Sequence, residues 1–315
     1  MPNNSPSVLI VRLDAIGDAL ALTPLVAALR AAGCGLGIVL REGNAATFAS
    51  RAFDCVHVPA DGSQIAAERY THALIATENA AGYRIALASG APVRIGFENT
   101  RGKPLKALWA RRLCTQTVKR TAGLDPRAPH EAQVLFELGR SLVPPNESPT
   151  RDSSILSRFV LDEEPSPDGR IAMQITDKWE RLGASLDAVS ELAALLNCHG
   201  NVRFIGAERE SEYVNRFSER SGLRVERFID VAPWKAAIAA SRALVAPDSG
   251  ATHVAGMTGV PTVAAFPTRD FALQTARWAP WAAPSRVVRI EDSWPSVVVE
   301  SLNELLLGTL PSDTT

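Results

Sequence analysis

Ala243-Leu244-Val245-Ala246-Pro247-Asp248-Ser249-Gly250-Ala251-Thr252-His253 is a short apolar run that breaks into a turn of small and polar residues. Thr252 to Met257 has helical potential, and a second apolar run follows at Val260 to Phe266. Strand, turn, helix and strand in that order predict a loop of small residues at the mouth of a parallel sheet. There a helix N-terminus leaves backbone N–H groups free for an anion. The hydroxyls of Ser249 and Thr252 beside such N–H groups suit a diphosphate, so a phosphorylated small molecule is the expected ligand.

The same rhythm runs outward in both directions. Val8 to Leu13 is an apolar run broken only by Arg12, as in a strand buried on both faces. Ala19 to Ala32 has helical spacing with Gly33 as its stop, and Leu36 to Leu40, Cys55 to Val58, Ala73 to Ala76 and Val93 to Phe97 supply further short strands. His130 to Leu142 reads as an amphipathic helix. Val143 to Asp168 carries Pro144, Pro145, Pro149, Pro165 and Pro167 and is the best linker candidate. Beyond it, strands are expected at Ile171 to Ile175 and Val202 to Ile205. Helices are expected at Leu186 to Leu196, Glu208 to Arg220, Trp234 to Ser241 and Val297 to Leu307. The expected fold is α/β: two Rossmann-like domains, residues 1–150 and 151–315, whose parallel sheets face across a cleft, with the last helix free to pack back on the first domain. A length of 315 residues suits two such domains.

Composition narrows the partners. Hydrophobic residues make up 46% and charged residues 21% of the chain, and the net charge of -1 argues against a nucleic-acid binder. Between Arg94 and Arg127, however, nine basic residues face only Glu98 and Asp125. Such a field attracts phosphates, carboxylates or an anionic membrane surface; it is also what a solvated face looks like. Cys34, Cys55, Cys114 and Cys198 are scattered without metal-ligand spacing and read as small hydrophobes in a reducing compartment. Met1 to Ser7 lacks the features of a secretory signal, and the uncharged run Ser249 to Thr268 holds too many Gly, Pro and Thr for a membrane span. A soluble, cytoplasmic or at most peripheral protein is expected, with no metal site.

Three further loops carry candidate chemistry. Asp14-Ala15-Ile16-Gly17-Asp18 follows the first strand; Asp18 is either a proton acceptor at the rim or simply the N-cap of the next helix. The glycines do not make a GxGxxG, which gives nicotinamide or flavin little support. Thr176-Asp177-Lys178-Trp179 offers a phosphate-binding lysine, or else a surface lysine beside an amphipathic Trp. Glu208, Glu210 and Glu212 could accept from ribose hydroxyls or complement a helix dipole. No HxxxH, nucleophile elbow or P-loop lysine is present.

Taken together, Val8 to Asp18, Leu20 to Arg30, Val93-Arg94-Ile95-Gly96-Phe97, His130-Glu131-Ala132-Gln133, Asp177-Lys178-Trp179, and Pro247 to His253 through Gly259-Val260-Pro261 resemble, in order, the motifs of the bacterial heptosyltransferases of glycosyltransferase family 9. The resemblance implies a GT-B architecture with acceptor in the N-terminal and nucleotide sugar in the C-terminal domain. It implies inverting, metal-independent transfer with no cofactor beyond a nucleotide-sugar co-substrate, ADP-heptose. Asp18 would be the catalytic base. Thr176, Lys178, Glu210, Asp248, Ser249, Gly250, Thr252 and His253 would bind donor, and Gly17, Arg94, Arg101 and Lys103 would bind acceptor. The implied acceptor is an anionic glycolipid of the lipopolysaccharide core or another saccharide, reached by peripheral contact with the cytoplasmic face of the inner membrane. The alternatives are a nucleotide-sugar epimerase or hydrolase on the same scaffold, and a non-catalytic descendant that only binds nucleotide sugar.

Overall fold

The computed structural model describes residues 5–58, 62–99, 104–120, 129–198 and 200–308. Twelve strands form two separate sheets. The first contains β1 (Ser7–Arg12), β2 (Gly35–Leu40), β3 (Cys55–His57), β4 (His72–Ile75), β5 (Val93–Asn99) and β6 (Gln116–Arg120). The second contains β7 (Ile171–Ile175), β8 (Val202–Ala207), β9 (Val225–Phe228), β10 (Ala243–Pro247), β11 (Thr262–Pro267) and β12 (Ser285–Ile290). All pairings are parallel. The spatial orders are β3-β2-β1-β4-β5-β6 and β12-β11-β10-β7-β8-β9. Read from its own first strand, the second sheet has the same order as the first. Each is therefore a doubly wound Rossmann sheet, with one point at which the winding reverses: between β1 and β4, and between β7 and β10.

The central strands are buried on both faces, which is why β1, β7 and β10 read as nearly continuous apolar runs, interrupted only by Arg12 and Gln174 past their first residues. The first core gathers Leu9, Val11, Val39, Ile75 and Tyr70; the second gathers Met173, Ile175, Trp179, Val245 and Trp294. The terminal helix Trp294–Gly308 packs on the helix Leu186–Cys198 and on β11 and β12, all in the second half. Among the described residues, no helix is long and apolar enough to cross a membrane.

Several expected boundaries move for identifiable reasons. The helix expected from Ala19 to Ala32 is two helices, Ile16–Leu20 and Thr23–Ala31. Pro24 lies in the first turn of the second, where its missing N–H costs nothing, and Thr23 Oγ1 donates to the Leu20 carbonyl at 2.6 Å. The expected linker contains the helix Ser153–Val160, with Arg51 donating to the carbonyls of Arg158, Leu161 and Asp162. The chain divides into one unit of Met1–Arg151 with Arg158–Asp162 and another of Asp152–Ser157 with Glu163–Thr315.

Candidate active site

Ligands of open parallel sheets lie beyond the carboxyl ends of the strands, at the reversal point. In the first unit that rim begins with Arg12, the last residue of β1. Its side chain is 4% exposed, and Nη1 donates to the carbonyl of Ala76, just beyond β4, so the guanidinium spans the reversal point. Nε lies 3.3 Å from Asp14 Oδ2 and Nη2 lies 3.4 Å from Asp18 Oδ1. Asn44 Nδ2 donates to the Asp14 carbonyl at 2.9 Å and ties down the loop between them.

The residue at the N-cap of Ile16–Leu20 is Ala15, with Asp18 inside the first turn. Asp18 is therefore not the helix cap. Burial pushes its carboxyl above the ordinary range, against the pull of Arg12; Asp14 and Glu131 push the same way as burial, and a backbone hydrogen bond from Ala15 opposes them. A carboxyl lifted in this way is a better proton acceptor near neutral pH. Gly17 is buried in the same turn.

Behind Asp18 stands an ion group that sequence reasoning missed. Glu131, fully buried, accepts at both carboxylate oxygens from Arg120 Nη2, at 2.7 and 2.8 Å. Arg120 Nη1 lies 3.5 Å from Glu78, and its guanidinium covers the Phe97 ring at 5.1 Å. His130 caps the helix Glu131–Phe136: its Nδ1 accepts from Ala132 N at 3.1 Å, and Gln133 Oε1 accepts from His130 N at 3.1 Å. The His-Glu-Ala-Gln stretch is thus a capping box that fixes Glu131. The His130 to Gln133 stretch was visible as a motif, but nothing in the sequence showed that Glu131 meets Arg120.

Arg94 requires a correction. It sits at the amino end of β5, the opposite edge of the sheet, with Nε donating to Leu113 O and Nη1 to Ala91 O, both at 2.8 Å. It closes the end of the helix Pro104–Leu113 and does not reach the rim. Arg101 and Lys103 lie outside the described residues.

The second unit presents three loops at its reversal point. After β7, Thr176 is buried and its Oγ1 accepts from Lys178 N at 3.3 Å. Trp179 is buried, donates from Nε1 to Gln174 O at 2.9 Å, and stacks on Trp294 at 5.1 Å. That core anchor removes the reading of an amphipathic surface Trp. Lys178, half-exposed beside it, makes no ion pair among the described residues. After β8, Glu210 ends the turn Glu208–Glu210, and its carboxyl accepts from Thr176. Burial, the largest influence, pushes its pKa up, and Oε2 is buried without a hydrogen-bond partner. Of the three nearby glutamates, Glu210 is the one turned toward the β7 loop; Glu208 approaches Arg227 at 4.0 Å.

After β10, Asp248 N donates to Ala265 O at 2.8 Å and Ser249, extended, caps the helix Gly250–Thr258. Thr252 Oγ1 donates to Ser249 O at 2.6 Å and accepts from Ser249 N at 3.4 Å. The Thr252 hydroxyl therefore holds the turn and is not offered outward, contrary to the expectation that it meets a diphosphate. Ser249 Oγ is buried and unpaired. Asp248, Ser249 and Gly250 are partly open, whereas His253 is buried, edge-on to Trp278 at 5.6 Å. Beyond β11, Arg269 is 93% exposed.

No protein-family model matches the sequence, and a comparison with curated proteins finds no match. Solved structures do match. A glycosyltransferase of family 9 from Veillonella parvula superposes with a TM-score of 0.74 at 17% identity, covering 98% of this chain and 99% of that one. The E. coli heptosyltransferase WaaC, solved with ADP, gives 0.74 at 18% identity over 95% and 99%. The E. coli ADP-heptose heptosyltransferase II gives 0.70 at 20% over 96% and 99%. A UDP-N-acetylglucosamine 2-epimerase from Listeria monocytogenes follows at 0.52 and 12%, over 96% and 88%. Two Rossmann sheets of the same strand order, matched over nearly the whole chain, give this protein the GT-B fold of the family 9 glycosyltransferases.

Proposed function

We propose that the protein is an inverting, metal-independent glycosyltransferase that moves a heptose or related sugar from a nucleotide diphosphate to a hydroxyl of a lipopolysaccharide-core or other saccharide acceptor. The observation that carries this reading is the placement of the chemistry-bearing loops: each sheet brings its own set to its reversal point. The neighbours WaaC and heptosyltransferase II, by their names, act with ADP or ADP-heptose, and ADP-heptose is the donor we infer here. The nucleotide sugar is the co-substrate, and no further cofactor is invoked.

In the reaction, Asp18 takes the proton of the acceptor hydroxyl as its oxygen attacks the anomeric carbon from the face opposite the diphosphate. The bond from that carbon to the diphosphate oxygen breaks, and the leaving group departs with the electron pair. Lys178 and the N–H groups opening the helix Gly250–Thr258 supply positive charge where negative charge accumulates. Ser249 Oγ and Glu210 Oε2, both buried and unpaired, are groups that phosphate oxygens and ribose hydroxyls would satisfy. His253, buried in the same helix, supports this turn from within. The basic stretch between Arg94 and Arg127, including exposed Arg112 and Lys119, supports an anionic acceptor and contact with an anionic leaflet.

Two variants test the assignment in a transfer assay with ADP-heptose. Asp18→Ala is expected to abolish transfer while donor affinity stays within two-fold; turnover near wild type would remove the base. Lys178→Ala is expected to weaken ADP binding by about 1–3 kcal/mol, about five-fold or more, as loss of a charge-assisted contact. An unchanged Kd takes Lys178 out of the site. Donor consumption that continues when acceptor is omitted would favour an epimerase or hydrolase.

A further inference from the structure

The two arginines of the first rim hold carboxylates in different ways. Arg120 gives one nitrogen to both oxygens of Glu131 at 2.7 and 2.8 Å, the short contacts of a strong charge-assisted pair. Arg12 is divided among three acceptors: the Ala76 carbonyl, Asp14 at 3.3 Å and Asp18 at 3.4 Å. Those last two contacts are too long for a fork-like pair, and the Ala76 bond keeps the guanidinium from swinging to either carboxylate. Asp18 is thus held in place without being locked into an ion pair.

We propose that Arg12 is the positioning residue of the proton acceptor, and that Asp14, held on the same guanidinium, is the opposing charge that keeps Asp18 free to take a proton. This rests on the reading of Asp18 as the base. The elements around Asp18 bring Arg12 from β1, Asp14 from the loop after it and Glu131 from the helix Glu131–Phe136. Glu78 and Arg120 stand behind Glu131. The short turn Ala45–Thr47, which packs on Ile16–Leu20, carries no titratable group. A pairing of Asp18 with Arg12 alone would stabilise the carboxylate and cost it basicity. Asp14, drawing on the same guanidinium at 3.3 Å, offsets that loss, while the shared contact preserves the aim.

The test is a carbon-13 NMR titration of the Asp18 carboxyl in the intact protein, paired with transfer kinetics. In Asp14→Asn, nearly isosteric, Arg12 is left to Asp18, and the Asp18 midpoint and the acidic limb of kcat/KM are expected to fall together by about one pH unit. Arg12→Lys keeps the charge but not the three-way fork. Its kcat is expected to fall about ten-fold or more while KM for ADP-heptose stays within two-fold. A melting transition of the unit of Met1–Arg151 within a few degrees of wild type shows that each variant is folded. An unmoved midpoint in Asp14→Asn, or an Arg12→Lys kcat within two-fold of wild type, overturns the inference. Asp18→Asn separates the two levels. If it still turns over, the base assignment fails; if it is inactive while the other variants show no effect, only the roles of Arg12 and Asp14 fail.

Discussion

Asp18 shows what a proton acceptor costs the fold that carries it. Burial holds its carboxyl pKa above the ordinary value in the folded protein. Between those two values the folded state binds more protons than the unfolded one, so stability falls as pH rises through that window. Above it the native protein bears the full penalty of a partly buried charge. Asp18→Asn removes the penalty and should raise Tm at pH 7 by about 1–3 °C, with the gain vanishing below the ordinary carboxylate range. The effect is small because the side chain is 34% exposed and solvent screens it. Differential scanning fluorimetry from pH 4 to 8 checks it; a variant less stable at pH 7 than wild type would contradict the sign. Residue-level reading of the sequence reached Asp18 but not its surroundings. Arg12 was visible as a lone charge in an apolar run, whereas Glu131 and Arg120 lie 113 and 102 positions past Asp18 and meet it only through the winding of the sheet.

At the scale of elements, the helix Gly250–Thr258 depends on a close approach that only glycine permits. A Cβ on Gly256 would lie 2.8 Å from Trp281 N and 3.1 Å from Pro280 Cα, and the Gly256 carbonyl already accepts from Ala282 N at 2.8 Å. Helix propensity alone would favour alanine by about 1 kcal/mol. The clash is with backbone that is itself hydrogen-bonded, and overpacking of that kind costs about 1–3 kcal/mol. The clash outweighs propensity. Gly256→Ala should therefore lower Tm by a few degrees and weaken ADP binding, because a shift forced near the C-terminal end moves the whole short helix, including the N-terminus proposed to meet the diphosphate; a variant equal to wild type in both would refute this. The strands legible in advance were the central ones, where burial on both faces leaves an apolar run, and the short edge strand β3, read from Cys55 to Val58. The edge strands β6, β9 and β12 went unseen, since Gln116, Lys119, Glu226 and Arg286 interrupt their apolar positions. The helix Ser153–Val160 was hidden among flanking prolines that mark its surroundings and not its interior.

At the scale of the molecule, the chain contains the same winding twice, each with its own core and its own reversal point. Doubling divides the chemistry. Under the proposed function, the unit of Met1–Arg151 with Arg158–Asp162 would carry the acid–base group, and the unit holding Glu163–Thr315 the phosphate-binding loops. A nucleotide that binds only the second should stabilise that unit by mass action, by about 2.7 kcal/mol at a hundred-fold excess over Kd. For a domain of this size the shift is about 5–10 °C. Scanning calorimetry should then resolve two transitions, of which ADP moves one. Lys178→Ala should shrink that movement, while Asp18→Asn, which lies in the other unit, should leave it intact. If ADP moved both transitions equally, or if Asp18→Asn abolished the movement, nucleotide binding would have to involve the first unit, and the division of donor and base between the two sheets would not hold.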